Sequence, residues 1–445
     1  MIRNVRTIQK GVLPVRKVVI FALVLMLGAC AAGFQLSSPP NLYRDGSNYP
    51  EAQVPAVLRT ASPPIFYVTD RAPEDGGYGS DRSSSMAYGK ATVRFGQDLD
   101  WPELLERTRA DSDKQVSTLW VQDIDEVLRF PSTPLPYRRE QGELRHTADA
   151  LSAYDAQIAA FQASIQETMR ATGNRNILVY VHGFNNEFDD SVTSLANLWH
   201  FAGRTSIPIA FTWPAGNGAG PLGYFRDRDA GTFSVFHTKE FLRMLSQIPE
   251  VGQIDIVAHS RGTDVATTAL RELIIEARGA GLHPKTALKT GTFIMAAPDL
   301  DVDIVRQRLA AERFAEAFDQ INLYINPNDN ALRLSAILTR SARLGALKKE
   351  DFKEGEVALL REQALVHFIR VENVRGGFGH AYFRDNPAVL SDIALALRTR
   401  AFPGGTLRPL ELDESGVWQL HPNYPLDRLP DLAFLGDRQA ISDNR

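Results

Sequence analysis

The sequence has little of several features that define other classes of protein. Cys30 is its only cysteine, so no disulfide can form within the chain and a packed core must stabilise the fold. The formal charge is only −4 over 445 residues, which argues against nucleic acid as a partner. No segment repeats along the chain, which argues against solenoids and propellers. What remains is the composition of a globular protein, long enough for one large α/β domain with attachments or for two ordinary domains.

One long hydrophobic run is present, at the N-terminus. A basic stretch precedes the apolar residues 18–29, "VVIFALVLMLGA". A run of about a dozen residues is typical of a signal peptide and short for a bilayer span. It ends in "LGAC", which resembles the lipobox of bacterial lipoproteins, whose cysteine becomes the lipidated first residue. We therefore expect a signal peptide over 1–29 and lipidation at Cys30, with an uncleaved anchor helix as the alternative.

The predicted location follows from this signal. The protein is expected to be exported and lipid-anchored at the bacterial cell envelope. Ala31, after the cysteine, lacks the acidic signal associated with inner-membrane retention, which favours the outer membrane, facing the periplasm.

The rest of the chain divides by composition. Residues 30–60 are rich in Pro, Ser, Ala and Asn, and are predicted to be a flexible tether. A domain follows over 61–400, with N-terminal strands and a helix over 61–172 and a core over 173–400. Residues 101–145 have no clear pattern. The Pro-punctuated residues 401–445 are predicted to be a C-terminal tail of unknown role.

Strand and helix patterns alternate through the core. Continuous apolar runs occur at residues 177–181, 207–212, 254–258, 292–297, 321–325 and 368–371, with helical periodicity between them at 191–202, 232–245, 263–277, 302–317 and 330–341, and after them at 387–398. Strands without polar alternation, interleaved with helices, predict a mostly parallel sheet of about eight strands covered by helices on both faces. Functional sites in such sheets form at the carboxyl ends of the strands.

The segment "DIVAHSRGTDVATTAL" has the pattern of a nucleophile elbow. A nucleophilic serine must leave the sheet on a sharp strand-to-helix turn, and the residues two before and two after it must be small. Ser260 follows the buried strand "IDIVA", with Ala258 and Gly262 at the crowded positions. Glycine is usual where Ala258 stands, and a slightly wider angle can absorb its methyl group. The alternative is a turn serine whose hydroxyl caps the helix.

A second motif predicts the groups that would stabilise a developing negative charge. "YVHGFNNEFDDSV" places Gly183 in a sharp turn after a strand, which would leave the amide of Phe184 free to donate. The second donor would be the amide of Arg261, at a helix N-terminus. His182 is interpreted as a structural residue of the turn, and a simple strand-end turn is the alternative.

An acid and a base are expected in the chain order Ser, acid, His. Asp329, in the turn "NPNDNAL" after the strand "INLYI", is favoured as the acid over Asp299, which follows the preceding strand. Of the three later histidines, His380 in the Gly-rich "NVRGGFGHAYF" is favoured, because His367 begins an apolar strand and His421 lies in the tail.

Together these motifs, with "FYVTDR", "FTWPAG", "YFRDRDA" and "AAPDLDVDIV", resemble a bacterial α/β-hydrolase family of unassigned function that is esterase-like. The resemblance covers about residues 64–401 and implies an α/β-hydrolase fold. It also implies a Ser260–Asp329–His380 triad with the Phe184 and Arg261 amides as oxyanion hole. In this family alanine is common before His-Ser.

The expected activity is that of a serine hydrolase acting on a small-molecule or lipid ester through an acyl-enzyme, with no metal and no organic cofactor. Trp213 and Tyr224 are candidates for lining the pocket or for packing under a surface loop. The alternatives are an acyltransferase, or a non-catalytic envelope lipoprotein that uses the fold as a binding or structural module. No pattern indicates an oligomeric state.

Overall fold

The computed structural model of the chain describes residues 37–44, 48–110, 118–351, 365–372, 379–429 and 432. The predicted signal peptide and Cys30 lie outside these ranges. Within them, no helix is both long and apolar enough to cross a bilayer.

Eleven of the described strands form one sheet, and two form a separate hairpin. In chain order the strands are β1 (Pro64–Glu74), β2 (Gly77–Phe95), β3 (Leu119–Arg129), β4 (Tyr137–Glu140), β5 (Glu143–His146), β6 (Ile177–Val181), β7 (Ile207–Thr212), β8 (Ile254–His259), β9 (Thr290–Ala296), β10 (Gln320–Ile325), β11 (Val366–Val371), β12 (Glu411–Leu412) and β13 (Trp418–Leu420). The order in the large sheet is β12-β13-β11-β10-β9-β8-β6-β7-β1-β2-β3.

The sheet is mostly parallel, as predicted, but larger than the expected eight strands. Its parallel part comprises β1, β7, β6, β8, β9, β10, β11 and β13. The antiparallel strands β2 and β3 extend one edge, and β12 extends the other. The additional strands come from the two ends of the domain, where the sequence has no helix–strand alternation.

Helices cover both faces of the sheet. They are α1 (Trp101–Arg109), α2 (Ala148–Thr172), α3 (Phe188–Phe201), α4 (Pro221–Ser246), α5 (Gly262–Gly279), α6 (Pro284–Leu288), α7 (Asn330–Thr339), α8 (Tyr382–Asp385) and α9 (Pro387–Thr399). The predicted helix over 302–317 is broken into an α-turn, a π-helical segment (Val305–Ala310) and a 3₁₀ turn (Phe314–Ala317). Helix α4 begins at Pro221, whereas the sequence pattern predicted a start at 232. The pattern missed the first turns because Gly223, Gly231 and the polar "RDRD" interrupt their apolar periodicity.

The side chains of β6 explain why the sheet is buried on both sides. Successive residues of a strand point to opposite faces. Ile177, Val179 and Val181 join one hydrophobic core, which also contains residues of α2, α4 and α5. Leu178 and Tyr180 join a second core with residues of α3 and α9. A continuous apolar run is therefore what a central strand between two helical layers requires.

The predicted flexible tether is wrong for the described residues 37–44 and 48–60. Three 3₁₀ turns run through this segment, and Tyr43 and Val54 are almost fully buried in the second core. Arg204 donates hydrogen bonds of 2.7 Å to the carbonyls of Leu58 and Thr60. The segment is therefore packed onto the domain, next to α3.

The predicted C-terminal tail is also part of the domain as far as it is described. Strands β12 and β13 join the sheet beside β11, and the guanidinium of Arg408 is completely buried against Asp392 in α9, at 2.7 Å. Arg408 also donates to Asn322 Oδ1 of β10, at 2.8 Å. A buried charged pair with these additional hydrogen bonds fixes the segment to the sheet, because removing one partner would leave the other charge unpaired.

Candidate active site

The turn between β8 and α5 holds Ser260 in a strained conformation. Its φ of +50° lies in the left-handed region, which costs a non-glycine residue about 1–3 kcal/mol and is concentrated at functional sites. The Ser260 N–H donates to the carbonyl of Ala296 (2.9 Å), and the Ser260 carbonyl accepts from the Thr263 N–H (3.1 Å). The backbone of Ser260, and not its hydroxyl, makes these turn contacts, and among the described residues no hydrogen bond joins the Ser260 hydroxyl to the amides of 263–265. The alternative of a helix-capping hydroxyl is therefore wrong.

The two flanking small residues differ in what their surroundings allow. A methyl group placed on Gly262 would lie 2.2 Å from the carbonyl oxygen of His182 and 2.5 Å from that of Val181. Only glycine lets α5 approach the end of β6 this closely. Ala258, in β8, is fully buried and its methyl group is part of the first hydrophobic core. The alanine before His-Ser therefore fits, whereas glycine is required after it.

The turn after β6 lies directly against the elbow. A methyl group on Gly183 would come within 2.9 Å of Ser260 Cβ, so the glycine allows the loop to reach the serine. Phe184 follows and lines the same pocket as Ser260. Among the described residues, neither the Phe184 N–H nor the Arg261 N–H has a hydrogen-bond acceptor. Two unpaired donors beside a serine can bind an oxyanion.

Asp227 in α4 fixes this loop, and the sequence did not assign it a role. Its buried carboxylate accepts from the Asn185 N–H (2.8 Å), the Asn217 N–H (3.1 Å) and the Asn217 side chain (2.9 Å). One carboxylate thus joins the loop after β6 to the Gly-rich loop after β7. Only the motif "YFRDRDA" pointed to this position.

Arg71 holds the same loop from β1. Its guanidinium is buried and donates to the carbonyls of Asn186 (2.7 Å) and Ala215 (2.9 Å). Burial and the neighbouring Asp70 and Asp227 act in opposite directions on the pKa of Arg71, and burial prevails, lowering it to about 10. The side chain is still charged at neutral pH. The motif "FYVTDR" therefore supplies a support for the loop.

Trp213 lies beneath the loop and does not line the pocket, which corrects one of the two expectations for it. Its indole is fully buried, stacks on the His182 ring (centroids 5.0 Å apart, planes at 4°) and donates to the His182 carbonyl at 2.8 Å. Burial, followed by the charge of Arg71, lowers the pKa of His182 to about 3. His182 is therefore a neutral structural residue, in agreement with its interpretation from the sequence.

Asp329 and His380 form a hydrogen-bonded pair. The Asp329 carboxylate is fully buried at the N-cap of α7, accepts from the Leu332 N–H (3.0 Å) and lies 2.7 Å from His380 Nδ1. This contact leaves His380 Nε2 free to exchange a proton. Burial lowers the pKa of His380, but the charge and hydrogen bond of Asp329 raise it more, so that the pKa lies above its usual value of 6.5.

His259, which precedes the nucleophile candidate, contacts the base candidate. Its Nε2 lies 3.3 Å from the His380 carbonyl, and its ring stacks on Phe383 with centroids 4.2 Å apart. Burial, together with the charge of His380, holds the pKa of His259 well below its usual value. His259 is thus a neutral support for the backbone of His380.

Asp299, the rival acid, is occupied elsewhere. Its buried carboxylate accepts from the Tyr224 hydroxyl (2.9 Å) and the Ser335 hydroxyl (2.7 Å) and forms an ion pair with Arg343 (3.2 Å). These contacts join α4, α7 and the loop after β9. Asp299 therefore forms a structural wall of the site, and Asp329 is the carboxylate bound to the imidazole.

The other two histidines are placed away from this arrangement. His367 is buried in β11, where desolvation lowers its pKa to about 3. His421 is half-exposed and pairs with Glu372 at 2.9 Å. Neither lines the pocket that contains Ser260.

Ser260 and His380 line one pocket of about 250 Å³. Phe184 and Tyr224 line it too. Within the described residues, Ser260 Oγ has no hydrogen bond to His380 Nε2. Serine–histidine hydrogen bonds are often long without substrate and tighten in the complex. No group of three or more described His, Cys, Asp or Glu side chains is placed to hold a metal ion.

A mostly parallel sheet with helices on both faces, and a strained serine after one of its central strands, defines an α/β-hydrolase. The model of the family "Alpha/beta hydrolase of unknown function (DUF900)" matches residues 157–400, more than half of the 445 residues, and the chain belongs to this family. A search of curated proteins finds no match.

Proposed function

We propose that the protein is a serine hydrolase that cleaves carboxylic esters through an acyl-enzyme. The observation that carries this proposal is the arrangement of Ser260 at a left-handed elbow in one pocket with His380, whose other nitrogen contacts Asp329 at 2.7 Å. These residues follow β8, β10 and β11, whose carboxyl ends share one edge of the sheet.

Each group has a defined task in the reaction. Ser260 Oγ attacks the ester carbonyl carbon while His380 Nε2 takes the hydroxyl proton, and the amides of Phe184 and Arg261 donate to the oxyanion. The carbon–oxygen bond to the leaving group breaks, and His380 gives its proton to the departing alcohol. Water then attacks the acyl-enzyme with His380 again as base, which releases the acid and restores Ser260. Asp329 holds the imidazole and stabilises its charged form.

The pH dependence of ester hydrolysis tests this proposal. His380 must be neutral to accept the proton, and its pKa is raised. The value of kcat/KM should therefore be at its maximum above that pKa and fall as the pH decreases through it. With a neutral ester as substrate, we expect hydrolysis with an acidic midpoint above pH 6.5. Absence of hydrolysis, or a rate that stays constant down to pH 5, would contradict the assignment of His380.

We further propose that the enzyme is lipid-anchored at the bacterial envelope through Cys30, on the outer membrane and facing the periplasm. The support is the apolar run 18–29 followed by "LGAC". Metabolic labelling with a fatty-acid analogue should mark the wild-type protein and not Cys30→Ala. Equal incorporation of the fatty-acid analogue into both proteins would contradict the lipid anchor at Cys30.

A further inference from the structure

The pocket at Ser260 has a small volume and a largely apolar wall. The volume of about 250 Å³ is below the range of roughly 300–1,000 Å³ that is typical of ligand sites. A water-sized group occupies about 30 Å³ in a liquid, so the pocket has room for roughly eight such groups. An acyl group with a chain of about six carbons, including its carbonyl, fills this space.

Helix α7 forms the apolar wall along the length of the pocket. Its residues Ala331, Leu334 and Leu338 line the cavity, together with Leu332. Because an α-helix rises 1.5 Å per residue, the positions from 331 to 338 extend over about 10 Å. The helix begins at Asp329, which contacts His380, so Leu338 lies near the end of the wall that is remote from the reacting groups.

The polar part of the pocket disfavours a charged acyl group. Asp299 lines the cavity, and its carboxylate already accepts from Tyr224 and Ser335 and pairs with Arg343. Apart from Asp299 and His380, no acidic or basic side chain is among the described residues that line the cavity, so a charged acyl group would lose its hydration there without gaining a free partner of opposite charge. The remaining, largely apolar surface favours an acyl chain whose methylene groups become buried against it.

We propose that the substrates are esters of short, uncharged acyl groups of up to about six carbons, held against the 331–338 face of α7. This inference rests on the proposed ester hydrolysis and specifies the acyl side of its substrate.

The experiment measures kcat/KM of the full-length protein for p-nitrophenyl esters from acetyl to decanoyl. Each buried methylene should increase kcat/KM by about fourfold, until the pocket is full near hexanoyl. Beyond that length kcat/KM should stay level or fall. A rate that keeps rising to decanoyl would overturn the inference while leaving the proposed hydrolysis intact.

A pair of tryptophan variants on α7 tests where the chain binds. Leu338→Trp replaces an aliphatic side chain by a larger indole ring, which occupies the space proposed for the acyl chain. The ratio of kcat/KM for the hexanoyl ester to that for the acetyl ester should therefore fall at least tenfold. Ile337→Trp is the matched control, because Ile337 is 73% exposed and does not line the pocket, and its ratio should equal that of the wild type. Thermal unfolding of both variants checks that they fold.

The outcomes separate the two proposals. An unchanged ratio in folded Leu338→Trp would overturn the placement of the acyl chain. Failure of the wild-type protein to cleave an ester of any length would overturn the proposed function, and this inference with it.

Discussion

Replacing Ser260 by alanine should lower kcat for a short neutral ester by about 10⁴- to 10⁶-fold, the range expected when a serine nucleophile is removed. Under the proposed function the loss is this large because the acyl-enzyme forms on the Ser260 hydroxyl, while the amides of Phe184 and Arg261 and the pocket remain. The turn should persist, since its hydrogen bonds use the backbone of Ser260 and alanine has the same backbone preference as serine.

Ser335→Ala is the matched control. Ser335 is a second serine in the same pocket, and its hydroxyl donates to Asp299 at 2.7 Å. Its removal costs one hydrogen bond to a charged group, about 1.5–3 kcal/mol of stability, but no reacting group. Turnover within about tenfold of wild type is therefore expected. If Ser335→Ala lost its activity while Ser260→Ala retained it, the nucleophile would have to be reassigned.

Asp329→Asn should lower kcat by about 10⁴-fold. An asparagine amide cannot stabilise the charged imidazole and favours the wrong tautomer of His380. The variant should still fold, because asparagine caps helices as well as aspartate does and can keep the contact with the Leu332 N–H. Without the carboxylate, the pKa of His380 should fall, and the acidic midpoint of the residual activity should move to lower pH.

Asp299→Asn provides the comparison for the acid. It leaves the buried Arg343 without its carboxylate partner, so the main effect should be a lower melting temperature, with a far smaller effect on kcat than that of Asp329→Asn. The reverse order of the two effects on kcat would make Asp299 the acid.

The candidate site residues could be chosen from the sequence because their positions depend on order along the chain. The strands predicted over 173–400 are present as β6 to β11, with ends that differ from the prediction by at most two residues. Parallel strands bring the loops after them to one edge, so Gly183, Ser260, Asp329 and His380 could be chosen from the loop that each occupies.

The supports of the site could not be predicted in the same way. Asp227 and Arg71 act through backbone groups of loops that are distant in the chain, and nothing local specifies which amide or carbonyl a buried charge will meet. Both stand in motifs that drew attention, "YFRDRDA" and "FYVTDR". Their hydrogen-bond partners depend on the positions of the loops after β6 and β7, which the sequence pattern does not specify.

The two ends of the domain were misinterpreted for a related reason. Periodicity reveals helices and strands, whereas the 3₁₀ turns over 41–58 and the short strands β12 and β13 have too few residues to show a period. Proline and polar residues there indicated flexibility. Individual side chains such as Tyr43 and Arg408 nevertheless anchor these segments through deep burial.

The most direct test of the central claim is mass spectrometry of the full-length protein after reaction with a fluorophosphonate. A serine that is activated by His380 and faces an oxyanion hole should form one covalent adduct, and peptide mapping should place it on Ser260. No adduct, or an adduct on a different serine, would contradict the account.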